Sequence, residues 1–239
     1  HKLSKRHGAT AVNEFKKAGY LPEALINYIA LLGCSYEDGR DIYSLDDRVR
    51  LFIIDRLNKA PAIFDYQKLE WFNGQYIRMK SDKELAELIR PYLISAGLRK
   101  EEDPQKDQME LAAIPFIKER LKLLGDSPAI MSYLYKRLDM PAAEEFVPKK
   151  ASIDEAIMYL EECRSILESS NLDDLPAIEE KFRERATVIG KKLGDILMPL
   201  RVAITYSRVS PPLFESMRIL GKDECIKRIE AAVAYLRGA

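Results

Sequence analysis

Apolar residues recur at intervals of three and four through most of the chain, a period that predicts helix nearly everywhere. A helix is predicted from Ala11, and a second opens at Leu21-Pro22-Glu23, where Pro22 suits the first helical position. Leu25, Ile26, Tyr28, Ile29 and Leu32 give that helix a broad apolar face, which ends at Gly33. Ser44 with Asp47 three residues on reads as an N-cap, and the helix it starts is expected to run through Val49, Phe52, Ile53 and Leu57 until Pro61 stops it. At most a short strand is expected near residues 62–64. Asp65 can cap a helix from Tyr66 to about Met79 whose core would be Leu69, Trp71, Phe72, Tyr76 and Ile77. Trp71 is read as core because aromatics at helical spacing bury far more often than they stack on bases. Ser81 and Glu84 have capping-box spacing ahead of a helix that Pro91 bends and Gly97 ends.

The charged, Pro-containing residues 99–106 read as a surface loop, followed by helices at about 107–124 and 127–136. Asp139 to Lys150, with two prolines and little periodicity, is the best linker candidate. Ser152 and Glu155 repeat the capping-box spacing, and helices are expected near 153–169, 175–189, 191–206, 211–220 and 222–236. With no internal repeat, the picture is all-α.

Composition adds mainly exclusions. At 239 residues with 47% apolar content the chain can bury real cores. Net charge is zero, so a nucleic-acid partner must be argued from charge distribution. That distribution is uneven: residues 151–180 hold one basic residue, Arg164, against nine acidic ones, and residues 181–239 hold twelve basic against six acidic. Cys34, Cys163 and Cys225 lie far apart and form neither a disulfide framework nor a zinc pattern, and the two histidines, His1 and His7, sit at one end. No metal site is expected. No apolar run reaches the roughly 18 to 20 residues of a membrane span, and no signal peptide opens the chain, so a cytoplasmic protein without membrane contact is expected.

Lys2-Leu3-Ser4-Lys5-Arg6 sets two lysines three apart around a serine, a spacing that can bracket a polyphosphate, although a basic tail of no function is the commoner cause of such a string. In company it says more. KLSKRHGA, then AVNEFKKAGYLPEALINYIALLG, then YSLDDRVRLFIIDRLNKAPAIFDYQKLEWFNGQYIR resemble the stretch that follows the second signature loop of bacterial-type glutamate-tRNA ligases, and PPLFE at Pro211–Glu215 with Leu220-Gly221-Lys222 resembles the family's final helical hairpin.

The resemblance covers essentially the whole chain and carries several implications. Lys2, Leu3, Ser4, Lys5 and Arg6 would be the ATP loop, with Lys5 stabilising charge on the phosphates in the transition state and Lys2 and Ser4 supporting the loop. Residues 1–80 would be this loop and a stem-contact region that packs under the catalytic domain, with Lys68, Asn73 and Arg78 facing the tRNA backbone. Residues 81–145 and 146–239 would be two helical anticodon-binding subdomains, where unpaired bases are splayed out and read by side chains. The helix containing Pro115 to Lys122 resembles the one whose arginine reads the third anticodon base, a role that falls on Arg120, with Lys118 beside it. The plainer alternative pairs Arg120 with Glu119 or Glu110. Arg201 and Arg208, with Tyr206, Ser207, Pro211, Leu213 and Phe214, fall where the family approaches the other anticodon bases, Phe214 being read as core.

Neither a HIGH-type motif nor a βαβ pattern occurs, so the chain is expected to be the C-terminal half of such a ligase and inactive alone, with no cofactor of its own. The intact enzyme would use ATP with Mg2+ and L-glutamate and would act as a monomer on glutamate tRNA (tRNA-Glu). Glutamine-tRNA ligases are disfavoured, because their anticodon region is built of β-barrels and nothing past residue 81 alternates with period two. The truncated paralogue that modifies aspartate tRNA lacks these helical domains. A non-catalytic helical scaffold or protein-interaction module is the remaining alternative, and zero net charge is its best argument.

Overall fold

A computed structural model describes residues 11–34, 39–57 and 62–238. Among the described residues there are twelve α-helices and four short 3-10 turns, and the only β feature is a single antiparallel bridge between Cys34 and Leu57. The all-α expectation holds, and residues 62–64 form no strand. The chain packs as two compact units, His1–Glu102 with Ile117–Ala129, and Asp103–Phe116 with Ile130–Ala239.

In the first unit lie α1 (Val12–Ala18), α2 (Pro22–Gly33), α3 (Leu45–Leu51), α4 (Tyr66–Met79) and α5 (Asp82–Ser95). Local signals fix most of their ends. Pro22 stands at the first position of α2, the Ser44 hydroxyl accepts from the Asp47 amide at 3.0 Å, and the Asp65 carboxylate accepts from the Gln67 and Lys68 amides. Ser81 and Glu84 form a full capping box at the start of α5, worth about 1 kcal/mol of helix stability. The core is aromatic: Phe15, Tyr20, Tyr28 and Phe72 are buried together with Leu25 and Leu69, and Tyr28 meets Phe64 edge to face with ring centroids 5.0 Å apart.

Three expectations fail here. The helix begun at Ser44 stops at Leu51: Phe52 turns to extended backbone, and Ile53 and Ile54, β-branched and largely exposed, have no core to hold them helical. Trp71 is not core but 45% exposed. Asn73, read as facing RNA, is fully buried.

The next helix, α6 (Pro104–Ile117), starts inside the predicted loop and ends seven residues before the predicted 124. Its continuation breaks into 3-10 turns at Lys118–Arg120 and Leu124–Asp126 because tertiary bonds outbid local propensity. The Lys118 ammonium bonds the Lys80 carbonyl and the Asp82 carboxylate, the Lys122 carbonyl accepts from Asn73, and the Leu124 amide donates to the Gly19 carbonyl at 3.0 Å.

α7 (Ser127–Tyr135) precedes a 3-10 turn at Ala143–Phe146, and α8 (Ile153–Glu168), α9 (Leu175–Val188), α10 (Leu193–Thr205), α11 (Leu213–Leu220) and α12 (Lys222–Arg237) complete the second unit within two residues of expectation. Its core stripes α8 with Ala156, Tyr159, Leu160, Cys163 and Leu167, against α10 and α12. The expected linker 139–150 is instead part of this unit, anchored by the fully buried Phe146. Phe214 packs at the edge of the same core. Among the described residues no helix is long and apolar enough to cross a membrane.

Candidate functional site

The strongest sequence candidate, Arg120, closes the 3-10 turn Lys118–Arg120, and its side chain stands exposed. Among the described residues it has no hydrogen-bond or ion-pair partner, and the acids that could have neutralised it are engaged elsewhere: Glu119 pairs with Arg78 at 3.8 Å, and Glu110 is buried and accepts from the Tyr135 hydroxyl at 2.6 Å. Arg120 lines a concavity of about 280 Å³ with Trp71, Gly74, Arg78 and Lys122. An uncompensated guanidinium fork beside an exposed indole is a donor set for a planar, hydrogen-bonding, negatively charged ligand.

Local geometry explains why these residues converge. Leu69, Phe72, Tyr76 and Ile77 bury one stripe of α4, and Trp71 and Arg78 lie within about 20° of each other on the opposite stripe at 100° per residue. The segment after Arg120 is stitched to the same helix by Asn73. Its side-chain amide donates to the Lys122 carbonyl at 2.6 Å and the Gly19 carbonyl at 3.2 Å, while its oxygen accepts from the Leu21 amide at 2.7 Å. Asn73 therefore positions the wall that carries Arg120 and Lys122 rather than touching a ligand. Replacing it by alanine should cost about 2 kcal/mol, since buried backbone groups lose partners while some regain water. Urea unfolding checks this, and an unchanged midpoint would contradict the stitching role.

The other predicted site residues are placed differently. Lys118 is mostly buried and held by Asp82 at 2.6 Å, so it anchors the turn beneath Arg120. Arg201 and Arg208 belong to the second unit. Arg201 donates to the Ser210 hydroxyl and the Pro211 carbonyl, and Arg208 donates to the carbonyls of Glu144, Glu145 and Val147 and pairs with the Glu145 carboxylate. Both brace loops. Lys2, Leu3, Ser4, Lys5 and Arg6 lie outside the described residues. Among the described residues no group of three or more His, Cys, Asp or Glu side chains could hold a metal ion.

Part of the late-chain basic block is tied up in ion pairs with the acidic one. Arg185 grips Glu162 through two bonds of 2.6 Å, Lys191 meets Glu155 at 2.7 Å, Arg237 meets Glu161 at 2.5 Å, and Arg164 reaches Glu230 at 3.7 Å. These pairs join the acidic and basic blocks across helix interfaces. Sequence reading missed Trp71 and Lys122 as members of the candidate site; the wheel position of Trp71, off the Leu69–Phe72–Tyr76 stripe, was the available signal.

Against known proteins, the family profile described as "Anticodon binding domain" matches residues 84–233, and the one described as "tRNA synthetases class I (E and Q), catalytic domain" matches residues 1–71. The chain is 47% identical to a glutamate–tRNA ligase of Treponema denticola, over 98% of this chain and 50% of that protein, and 41% identical to one of Borrelia recurrentis, over 99% and 47%. It spans about half the length of the curated relatives it matches. The fold resembles the crystal structure of a glutamate tRNA ligase from Elizabethkingia meningosepticum solved in complex with its amino acid, with a TM-score of 0.81 and 27% identity over 98% of this chain and 45% of that one.

Proposed function

Since the chain belongs to the anticodon-binding-domain family, and resembles glutamate–tRNA ligases over nearly its whole length, we propose that it is the tRNA-binding part of a glutamate–tRNA ligase. In this reading it grips the anticodon arm of glutamate tRNA while a catalytic domain joins L-glutamate to the tRNA, with ATP and Mg2+ as the other reactants, in the cytoplasm and as a monomer. Lys5, with Lys2 and Ser4 in the same loop, would serve the ATP phosphates. Residues 11–80 would pack under the catalytic domain. The exposed Ile26, Ile29, Leu45, Val49 and Phe52 in that stretch support such a neighbour, since water leaves so many apolar side chains poorly accommodated.

One observation carries the RNA-binding reading: Arg120, within the region matched by the anticodon-binding profile, is an exposed guanidinium in a concave surface, with no partner among the described residues. Its fork can donate two parallel hydrogen bonds to one base edge, a geometry a lysine cannot copy, and such a contact discriminates by about 1–3 kcal/mol in DNA readers. Arg78 and Arg208, each with surface exposed, would add contacts to the RNA backbone, with Lys118 and Arg201 holding the surfaces behind them.

Anisotropy titration with glutamate tRNA transcripts differing only at the third anticodon base, at two salt concentrations, tests the proposal. The chain should bind with salt-dependent affinity and favour the cognate base by roughly 10-fold. Arg120→Ala should erase most of that preference, and Arg120→Lys should keep affinity yet lose discrimination. Equal discrimination by wild type and Arg120→Ala would remove Arg120 from the site. No binding even at low salt would favour the scaffold reading instead.

A further inference from the structure

Trp71 stands on the wrong side of α4 for a core residue. Its neighbours Leu69, Phe72 and Ile77 are fully buried, yet its own indole is 45% exposed, held edge to face against Phe72 at 5.0 Å. A lone exposed apolar side chain is ordinary. What sets Trp71 apart is its setting: it forms one wall of the concavity that Arg120, Arg78 and Lys122 rim. At about 280 Å³ the space falls just below the range of about 300–1,000 Å³ typical for small-molecule pockets, which suits a single ring system better than a whole cofactor.

The remaining walls fit a flat, anionic guest. Gly74 presents bare backbone; a Cβ there would lie 3.4 Å from an Arg78 guanidinium nitrogen and 3.6 Å from the Leu121 carbonyl oxygen, filling the space in between. The two acids at the rim are loosely held. Lys122 meets Glu70 at 3.7 Å and Arg78 meets Glu119 at 3.8 Å, long, solvated pairs of the kind that contribute little to stability and exchange readily for another anion. Three cations against two acids leave one positive charge over, on Arg120. An aromatic face among exchangeable cations is the arrangement by which proteins hold single-stranded nucleic acid: the base stacks and its phosphate finds the cations.

We infer that Trp71 is a stacking platform for one unpaired RNA base, with Arg120 at the base edge and Arg78 and Lys122 taking the adjoining phosphate from Glu119 and Glu70. The inference rests on the reading of Arg120 as RNA-facing and adds a second, sequence-tolerant contact to it.

Trp71 is the chain's only tryptophan, so its fluorescence reports this contact directly. The probes are the anticodon stem-loop of glutamate tRNA as a hairpin RNA and a fully paired RNA duplex of equal length, titrated into the whole chain. The hairpin should quench the emission and the duplex should not. Trp71→Ala should weaken hairpin binding by roughly 10- to 100-fold, the scale of one lost base stack, with an unchanged melting curve, and Trp71→Phe should recover much of the loss. Equal hairpin affinity in wild type and Trp71→Ala, or equal quenching by hairpin and duplex, would overturn the stacking role. If Arg120→Ala still abolishes anticodon discrimination in that case, the anticodon reading survives without it. Should the wild-type chain bind neither RNA, that reading fails and the stacking role with it.

Discussion

Substituting alanine for Gly19 is expected to destabilise the first unit by about 4 kcal/mol. Gly19 caps α1 with φ at 101°, where any side chain is strained by about 1–2 kcal/mol. The larger cost is steric. A Cβ at Gly19 would stand 2.3 Å from the Gly125 amide nitrogen and 2.5 Å from that of Leu124, both backbone atoms that cannot swing aside. The approach is fixed from both directions, since the Leu124 amide bonds the Gly19 carbonyl and a Cβ on Gly125 would meet the Ala18 carbonyl oxygen at 2.6 Å. Relief would require the Leu124–Asp126 turn to withdraw, loosening the segment that follows Arg120. Urea unfolding followed by Trp71 emission should show the transition at clearly lower denaturant. Gly190→Ala is the control: φ there is 67° but a Cβ meets nothing within 4 Å, so only the conformational cost of about 1 kcal/mol remains. Similar losses from the two substitutions would refute the backbone clash.

Gly19 also illustrates which parts of the fold were legible in the sequence. Helix starts at Pro22, Asp65, Ser81 and Ser152 were readable because their causes are local: a ring already holding the helical φ, or a side chain bonding an amide two or three residues on. The break after Ile117 was not, since the groups that cause it, Asn73, Asp82 and Gly19, lie 35 or more residues away in sequence. The site divides the same way. Arg120 and Lys118 look equivalent as cations two residues apart, and only the fold ties Lys118 to Asp82 while leaving Arg120 open. Charge blocks are ambiguous for a related reason: Arg185 and Glu162 lie 23 residues apart in sequence and pair across two helices, so a run of one sign says little about the surface it ends on.

The second unit has its own buried polar node, and replacing Arg228 by methionine is expected to cost about 3–5 kcal/mol, the range found when one partner of a buried ion pair is removed. Arg228 is 2% exposed and uses its whole fork: it bonds the Glu224 carboxylate at 2.8 Å, the Ile204 carbonyl at 2.6 Å and the Tyr133 carbonyl at 2.8 Å, with its guanidinium 5.4 Å from the centre of the Tyr206 ring. Methionine fills the volume but leaves two carbonyls and part of a carboxylate unpaired. The acid carries a pH signature. Hydrogen bonds from Arg137 first, then from Arg228, hold Glu224 down at about 2, against an ordinary value of 4.5. Because the folded value lies below the unfolded one, this contribution is complete above pH 4.5 and is lost as pH falls towards 2. At 1.36 kcal/mol per pH unit, wild type should lose up to about 2 kcal/mol from this residue between pH 4.5 and 3. In Arg228→Met the carboxylate keeps only Arg137, so its folded value rises and the acid-dependent loss shrinks. The gap between the two proteins should therefore be widest near pH 7 and narrower by about 1 kcal/mol at pH 3, read by far-ultraviolet circular dichroism in urea titrations at each pH. A gap that stays constant would mean that the two carbonyls, and not the carboxylate, account for the stability Arg228 provides.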